Sequence, residues 1–231
     1  MKNVLGHTLI TATAVTAAAW IPTAATAATT ANRDSSCPAT VAAPNVKITH
    51  SFTKVYATLT KTCEATYASW NIKNSGGIFD TLIYDPAKPN QNDSLIFPGV
   101  TKLGRHDVVP VTANNGTTKR VAQKISTFYV KIGSGTLLFV TRENGHLTIS
   151  GRVQKYHPNT TKWVPWNGAT VVIQGRPSAT LPWLPIDVPQ KTSKKGQFTH
   201  TVLLSNLRQY RLATQDTSTT WGSTSATFTQ L

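Results

Sequence analysis

VAQKISTFYVKIGSGTLLFVTR, residues 121–142, is the stretch that decides the fold class of this chain. β-Branched and aromatic residues dominate segments 121–132 and 136–142, and Gly133-Ser134-Gly135 separates the two. Short runs of this composition, bounded by small turn residues, are typical of β-strands. The stretch therefore predicts two consecutive strands.

The same pattern continues on both sides of this stretch. Val55, Ala57 and Leu59 alternate with more polar residues, and Leu147 and Ile149 do so farther along the chain. A period of two indicates strands with one buried face, because successive side chains point to opposite sides. Turn signals rich in asparagine and glycine separate the runs: Asn114-Asn115-Gly116, Asn144-Gly145 and Asn167-Gly168. With no sustained helical periodicity, the sequence predicts an all-β protein.

The beginning of the chain predicts export. Lys2 is the only charge before a long uncharged stretch over residues 4–20, and Ala25-Thr26-Ala27 provides a cleavage site of small residues. These are the parts of a secretory signal peptide, which we assign to residues 1–27. A membrane anchor is the alternative, but threonines dilute the apolar stretch and no apolar run of about 20 residues follows. We expect a secreted, extracellular protein with no membrane span in its mature form.

The rest of the chain is long enough for two domains. Residues 28–36 are small and polar, which predicts a flexible lead-in. One all-β sandwich takes about 100 residues, so the remainder predicts two sandwiches in tandem. The character of the sequence shifts at Asn144-Gly145. We therefore place the first sandwich at residues 37–145 and the second at residues 146–231.

Cys37 and Cys63 are the only cysteines. An exported protein meets an oxidising environment, so we predict that they form a disulfide bond in the first sandwich. A structural zinc site would need histidines at matching spacing, and the nearest one, His50, stands alone. The acidic loop at residues 80–93 lacks the spacing of a calcium-binding loop. The sequence therefore predicts neither a metal nor a cofactor.

The second half carries a family resemblance. It runs from Leu147-Thr148-Ile149-Ser150-Gly151-Arg152-Val153 through Trp163-Val164-Pro165-Trp166-Asn167-Gly168 to Gly196-Gln197-Phe198, Tyr210-Arg211 and Trp221. These segments resemble the Ig-like domains of secreted actinobacterial proteins, which often occur in tandem and are mostly of unknown function. The resemblance covers residues 146–231, and residues 37–145 look like a divergent partner domain. It implies tandem Ig-like β-sandwiches, an extracellular location and a binding or structural role, and it carries no catalytic residues.

The charge of the chain predicts an anionic partner. Its formal net charge is +14 at pH 7. Such a surface attracts polyanions, including wall teichoic acids and acidic polysaccharides, as well as acidic proteins. Solubility is the alternative explanation, because the lysines are scattered rather than blocked. No nucleic-acid module is recognisable, so we expect no specific nucleic-acid partner, and the sequence leaves the oligomeric state open.

Tryptophans near predicted turns are the candidate ligand-binding residues. Exposed aromatic rings stack on sugars or anchor a protein partner. Small sandwiches also bury a tryptophan between their sheets, so we expect at least one of these rings in the core. We expect Trp70 and Trp221 in the core or at its edge. The candidate set includes neighbouring basic and aromatic residues: Trp163, Trp166, Trp183, Tyr156, Arg152, Lys162 and Arg176.

Catalytic machinery is not recognisable in the sequence. The only adjacent acid–base pair is His106-Asp107, whose side chains would point to opposite faces of a strand. Neither a metalloprotease motif nor a nucleophile elbow occurs. We expect all five mature histidines at the surface: His50, His106, His146, His157 and His200.

We therefore predict a non-catalytic binding or structural protein of the bacterial envelope, whose basic surface engages an anionic polymer or an acidic protein. Three alternatives stay open at this point. The first is a carbohydrate-binding module that uses the tryptophans of the second sandwich. The second is a secreted hydrolase with two facing carboxylates. The third is a protein inhibitor that presents the proline-rich loop at residues 177–189.

Overall fold

The structure, a computed structural model, describes residues 34–60, 65–85, 94–116, 120–203, 207 and 209–229. The predicted signal peptide at residues 1–27 lies outside these ranges, as does Cys63 of the predicted disulfide. Residues 34–36, which we expected in the flexible lead-in, form the start of a strand instead. Asp34 pairs there with Val121 in a parallel ladder. The composition of residues 28–36 does not predict this strand, because its pairing partner Val121 lies far away in the sequence.

Ten strands of the first sandwich lie in the described residues. They are β1 (Asp34–Ala42), β2 (Val46–Ile48), β3 (Phe52–Tyr56), β4 (Thr58–Thr60), β5 (Tyr67–Asn74), β6 (Gly77–Tyr84), β7 (Ser94–Pro98), β8 (Gly104–Asn114), β9 (Val121–Gln123) and β10 (Ser126–Ile132). One layer is a five-stranded sheet in the order β2-β10-β8-β5-β6, in which β2 and β10 are parallel and the other neighbours antiparallel. The facing layer contains the sheet β4-β1-β9 and the pair β3-β7.

The first core lies between these two layers. Every second residue of β5 from Ala68 to Ile72 is completely buried. Trp70 is the central one of these, which confirms its expected place in the core, and it clusters with Phe97 and Phe128 from two other strands. Burying a large apolar side chain contributes roughly 1.5–3 kcal/mol. These side chains therefore hold the two layers together.

The part of the second sandwich that the structure describes contains nine strands. They are β11 (Ser134–Glu143), β12 (His146–His157), β13 (Lys162–Pro165), β14 (Thr170–Arg176), β15 (Leu184–Pro185), β16 (Gln190–Lys191), β17 (Gln197–Leu203), β18 (Gln209–Thr214) and β19 (Phe228–Thr229). In one sheet, β12 pairs with β11, β13 and β17. In the other, β14 pairs with β15, β16 and β18, and β18 pairs with β19. No helix in the described ranges is long and apolar enough to cross a membrane.

Gly151 and Tyr210 show how closely the two sheets of the second sandwich pack. A Cβ atom at Gly151 would overlap the ring of Phe198 and come within 2.5 Å of Leu212. Tyr210 is 1% exposed, and its hydroxyl donates to the carbonyl oxygen of Leu207 at 2.8 Å. A tyrosine at the start of a strand that bonds to the backbone a few residues upstream is the tyrosine corner of immunoglobulin-type sandwiches.

The strand order identifies both halves as immunoglobulin-type sandwiches. In the second half, β11, β12 and β17 share one sheet, and β14, β18 and β19 share the other. These positions match strands A, B and E against strands C, F and G of the immunoglobulin fold. In the first half, β5, β8 and β10 are neighbours, and β5 carries the buried Trp70 expected on strand C. The predicted all-β class with two tandem Ig-like sandwiches is confirmed.

The chain passes from one sandwich to the other at Gly133. β10 ends in the first sandwich at Ile132, and β11 begins in the second at Ser134. Asn144 and Gly145, where we placed the boundary, form the turn of the β11–β12 hairpin and have φ angles of 49° and 77°. Two-residue hairpin turns need such positive φ angles. Because β11 pairs with β12 along its whole length, it belongs to the second sandwich.

Contacts around Gly133 pack the two sandwiches against each other. The N–H of Gly133 donates to the carbonyl oxygen of Ile48 at 2.8 Å, and its own carbonyl oxygen accepts from the N–H of Tyr156 at 2.9 Å. Tyr156 stands on β12, yet its ring belongs to the first core. A side chain at position 133 would overlap Thr49 and Lys47. The absence of a side chain at Gly133 therefore allows the backbones of the two sandwiches to lie close together, without a flexible linker between them.

Candidate functional site

Two of the predicted ligand-binding aromatic residues are buried. Trp166 is 6% exposed and belongs to the second core, which confirms that at least one of the three candidate tryptophans is buried. Its N–H donates to the carbonyl oxygen of Val153, and its own carbonyl oxygen accepts from the Thr192 hydroxyl. Tyr156 is 2% exposed. Because they are buried, neither ring is accessible to a ligand.

Trp163 is exposed, and the candidate ring in contact with it, Tyr156, is buried. It lies on β13 directly opposite Tyr156, and the two ring centres are 6.0 Å apart in an edge-to-face arrangement. Its exposed fraction is 43%. Lys162 and Arg152 are exposed on the same sheet, where Arg152 lies opposite Leu137 in the strand register. This sheet therefore presents one partly exposed indole ring.

Trp183 forms a cluster with two arginines on the other sheet of the same sandwich. The guanidinium carbon of Arg176 lies 4.3 Å from the centre of the indole ring, and that of Arg211 lies 4.4 Å from it. Arg176 and Arg211 occupy neighbouring strands, β14 and β18, at positions that face away from the second core. We call Arg176, Trp183 and Arg211 the arginine–tryptophan cluster. Since Trp163 lies on the opposite sheet, Trp163 and Trp183 do not share one exposed face.

Two glutamines orient the arginines of the cluster. The strand register places Gln209 opposite Arg176 and Gln174 opposite Arg211. In each pair the arginine Nε donates to the glutamine Oε1 at 2.7 Å. Arg176 also donates through Nη1 to the carbonyl oxygen of Ala179 at 2.8 Å. A guanidinium has five N–H donors, so most of those on Arg211 are available to a ligand.

The cluster concentrates positive charge without a described counter-ion. Burial, together with the nearby charge of Arg176, lowers the pKa of Arg211. Among the described residues, no aspartate or glutamate forms an ion pair with either arginine. Arginine recognises carboxylates and phosphates through paired N–H groups. An oxyanion bound here would offset the repulsion between the two guanidiniums.

The loop that carries Trp183 is anchored at its base and apolar at its tip. The N–H of Ile186 donates to the carbonyl oxygen of Ile173 at 3.0 Å, so the returning chain is fixed to β14. Leu181, Leu184 and Val188 are 47%, 56% and 67% exposed. This segment lies within the loop at residues 177–189 that we considered for an inhibitor. It places exposed apolar side chains beside the two arginines.

Other candidate chemistry is not assembled in the part of the chain that the structure describes. No group of three potential metal ligands occurs there. Asp187 pairs with His200 at 2.5 Å, and Asp107 pairs with Arg105 at 2.8 Å. Asp107 is therefore engaged in an ion pair, and Asp187 in a contact with the imidazole of His200.

His106 is completely buried, so our expectation of five surface histidines is wrong for this residue. It stacks on Phe128 with ring centres 5.3 Å apart and meets the edge of Phe97 at 6.0 Å. Nδ1 lies 3.3 Å from the carbonyl oxygen of Gly104, and Nε2 lies 3.3 Å from the amide nitrogen of Asn74. Burial lowers the pKa of His106, while the Gly104 carbonyl opposes this effect.

Arg211 is the member of the cluster that the sequence analysis missed. A signal for it was present in the repeated pattern Gln-x-Arg, which occurs as Gln174-Gly175-Arg176 and again as Gln209-Tyr210-Arg211. On neighbouring antiparallel strands, such repeats bring each glutamine opposite the other arginine. The pattern becomes informative only once β14 and β18 are known to pair in this register.

Comparisons with known proteins add little beyond the fold. No protein-family model matches the chain, and no curated protein matches it. Among solved structures it is similar to the D00-D0 domain of intimin, with a TM-score of 0.29 and 11% identity over 81% of this chain and 94% of that chain. The D0-D1 domain of intimin gives a TM-score of 0.24 and 14% identity over 84% and 97% of the two chains. The Ig-like assignment therefore depends on strand order and core packing, and membership of an actinobacterial family stays a prediction.

Proposed function

We propose that this chain is a secreted, non-catalytic binding protein whose basic surface holds an anionic polymer, with the arginine–tryptophan cluster as the principal site. The observation that carries this proposal is the pair of guanidiniums at Arg176 and Arg211, which share one indole ring and have no described carboxylate partner. An oxyanion between them would accept paired hydrogen bonds from both.

The overall charge supports a polymer rather than a small anion as the ligand. The formal net charge of +14 gives the protein a long-range field that attracts a polyanion and speeds its encounter. A polymer with repeated anionic groups contacts the cluster and further basic side chains at the same time. Cell-wall polyol phosphates and acidic polysaccharides have this chemistry. Because such contacts are exposed, salt screens them over a Debye length of about 8–10 Å.

The placement of the tryptophans favours this function over sugar stacking. Trp183 is partly covered by two guanidiniums, Trp166 is buried, and Trp163 stands on the opposite sheet. A row of exposed tryptophan rings on one face, which would stack on successive sugars of a neutral chain, is not present among the described residues. The cluster instead presents charged donors around its one ring.

The test is a binding titration of the exported protein against teichoic acid, polygalacturonate and neutral dextran at about 50 mM and 500 mM salt. The double substitution Arg176→Gln with Arg211→Gln removes the charge of the cluster. Arg142→Gln with Arg152→Gln removes the same charge from exposed positions on the other sheet. We expect the cluster variant to weaken binding to the anionic polymers by about tenfold or more, since charge-assisted hydrogen bonds are lost. We expect the control variant to weaken it by less than about threefold.

Equal losses in the two variants would mean that net charge binds the polymer without a site. Binding to dextran that survives high salt would move the function to sugar recognition. No binding to any of the three polymers would favour an acidic protein partner.

A further inference from the structure

The two sheets of the second sandwich end together at a pole that we call the free pole. In one sheet, the β11–β12 hairpin turns there and β17 ends there, with His146 opposite Leu203. In the other sheet, β14 ends at Arg176, opposite the start of β18. Only residues 204–208 connect β17 to β18, so the ends of the two sheets lie on the same side of the sandwich.

The free pole faces away from the first sandwich. Tyr156, whose ring packs into the first core, lies near the end of β12, whereas the free pole contains the start of that strand. Trp221, which bonds to Val46 of the first sandwich, follows β18, whereas the free pole contains the start of that strand as well. Both contacts with the first sandwich therefore come from the opposite end, and they leave the free pole accessible to a partner.

Exposed leucines lie beside the arginine–tryptophan cluster at this pole. Leu181 and Leu184 of the Trp183 loop are 47% and 56% exposed, and Leu203 at the end of β17 is 72% exposed. The carbonyl oxygen of Leu181 lies 3.5 Å from Nη1 of Arg176, and Leu184 lies opposite Gly175 on β14. Moving such apolar side chains out of water is favourable. The free pole therefore combines apolar side chains with guanidiniums, which suits an amphiphilic surface.

A hydrated anionic polymer would not use these leucines. Polyol phosphates and acidic polysaccharides offer anionic groups to Arg176 and Arg211 but little apolar surface. An anionic lipid bilayer offers both, with phosphates at the headgroups and acyl chains beneath them. Tryptophan rings are enriched at this interface, and arginine keeps its charged end among the headgroups while its stem packs on apolar groups. The free pole carries a side chain suited to each of these layers.

We propose that the free pole of the second sandwich docks on the surface of an anionic lipid bilayer. Leu181 and Leu184 enter the interface between headgroups and acyl chains, and Arg176 and Arg211 bond to lipid phosphates beside Trp183. The formal net charge of +14 attracts the protein to such a surface. This docking rests on the proposed function in one respect, because the same two guanidiniums hold the anion. It adds a lipid partner that polymer binding does not require.

The test is sedimentation of the exported protein with vesicles of phosphatidylglycerol and phosphatidylcholine in equal parts. We expect it to bind them at least about tenfold more tightly than vesicles of phosphatidylcholine alone. Leu181→Ser with Leu184→Ser should weaken this binding about tenfold, because apolar contact with the interface is lost. Leu137→Ser with Phe139→Ser is the matched control. It changes side chains of β11 that are 53% and 57% exposed and lie away from the free pole, so binding should stay unchanged.

Fluorescence quenching locates the contact. Brominated acyl chains quench tryptophans that lie at the membrane interface, so we expect quenching when the protein binds brominated anionic vesicles. Trp183→Phe should remove most of it, whereas Trp163→Phe, on the other sheet, should not. Full quenching in Trp183→Phe would overturn docking through the free pole.

Teichoic acid binding by the same variants separates this proposal from the proposed function. The leucine variant should keep its affinity for the polymer, whereas Arg176→Gln with Arg211→Gln should weaken binding to both polymer and vesicles. Full vesicle binding by the leucine variant would overturn the docking and leave the proposed function intact. Polymer binding that survives the arginine substitutions, with vesicle binding lost in the leucine variant, would overturn the proposed function alone. No preference for anionic over neutral vesicles would overturn the docking too.

Discussion

Trp221 donates its indole N–H to the carbonyl oxygen of Val46 at 2.9 Å and so joins the second sandwich to the first. Its backbone N–H donates to the carbonyl oxygen of Ile132, also at 2.9 Å. The ammonium group of Lys131 lies 4.1 Å from the centre of the indole ring and 3.4 Å from a carboxylate oxygen of Asp216. One residue between β18 and β19 therefore bonds to the first sandwich through both its backbone and its side chain.

We expect Trp221→Phe to lower the free energy of unfolding by about 1–2 kcal/mol. The substitution leaves the Val46 carbonyl without its donor and weakens the contact with Lys131. Urea unfolding followed by circular dichroism measures the change. Trp163→Phe is the control, since Trp163 is 43% exposed, and its effect should stay within about 0.5 kcal/mol. Similar losses in both variants would contradict a stabilising role for this interface.

We expect His106 to make stability fall as the pH is lowered below about 6.5. Burial lowers the pKa of His106 in the folded protein, so in this range the unfolded chain binds a proton that the folded chain does not. The free energy of unfolding therefore rises with pH up to about 6.5 and levels off above it. Urea unfolding between about pH 5 and pH 7.5 measures the slope.

His106→Phe should flatten this slope, whatever it does to the absolute stability. His50→Gln, at an exposed histidine, should leave the slope unchanged. A slope that persists in His106→Phe would assign the pH dependence to other groups.

We expect Gly151→Ala to destabilise the second sandwich by roughly 1–3 kcal/mol, as overpacking of a core does. The added methyl group would overlap the ring of Phe198 and the side chain of Leu212. Gly135→Ala is the matched change, because its methyl group would meet Trp163 at an ordinary 3.8 Å. Thermal unfolding should show a lower Tm for the first variant only. An unchanged Tm in Gly151→Ala would mean that the two sheets accommodate the added methyl group without a loss of stability.

The predicted disulfide of Cys37 with Cys63 lies outside the described residues and stays a prediction. Thr40 of β1 pairs with Thr60 of β4, and each of these residues lies three positions from one of the cysteines along the chain. Mass spectrometry after alkylation without reductant should find no modified cysteine. Two alkylated cysteines would refute the pairing.

The fold was predictable because strand alternation is a local property. Leu147 and Ile149 are buried on one face of β12, as their spacing predicts. The alternation also places His106 on the same face as Val108, and both are completely buried. This spacing could have predicted the burial of His106, but we assigned the residue to the surface because histidine is polar. The class and the tandem arrangement therefore followed from the sequence.

The candidate site was only partly predictable because it depends on pairing between distant strands. Trp163 and Trp166 are three residues apart and point to opposite faces, but the sequence does not tell which face is covered. Tyr156 is buried by the other sandwich, which no local pattern reveals. Arg176 and Trp183 were found by residue type alone. Arg211 needed the register of β14 with β18, which is a long-range property.

The single residue between β10 and β11 makes the tandem a rigid spacer. Gly133 is hydrogen-bonded through both its N–H and its C=O. Trp221, which comes near the end of the chain, bonds to Ile132 and Val46 at the same junction. When a partner binds one sandwich, its binding to the other becomes intramolecular. The effective concentration for that second step depends on the distance between the two binding sites, which this junction holds constant. Partners whose two binding elements match that separation gain avidity, and partners with a different spacing gain none.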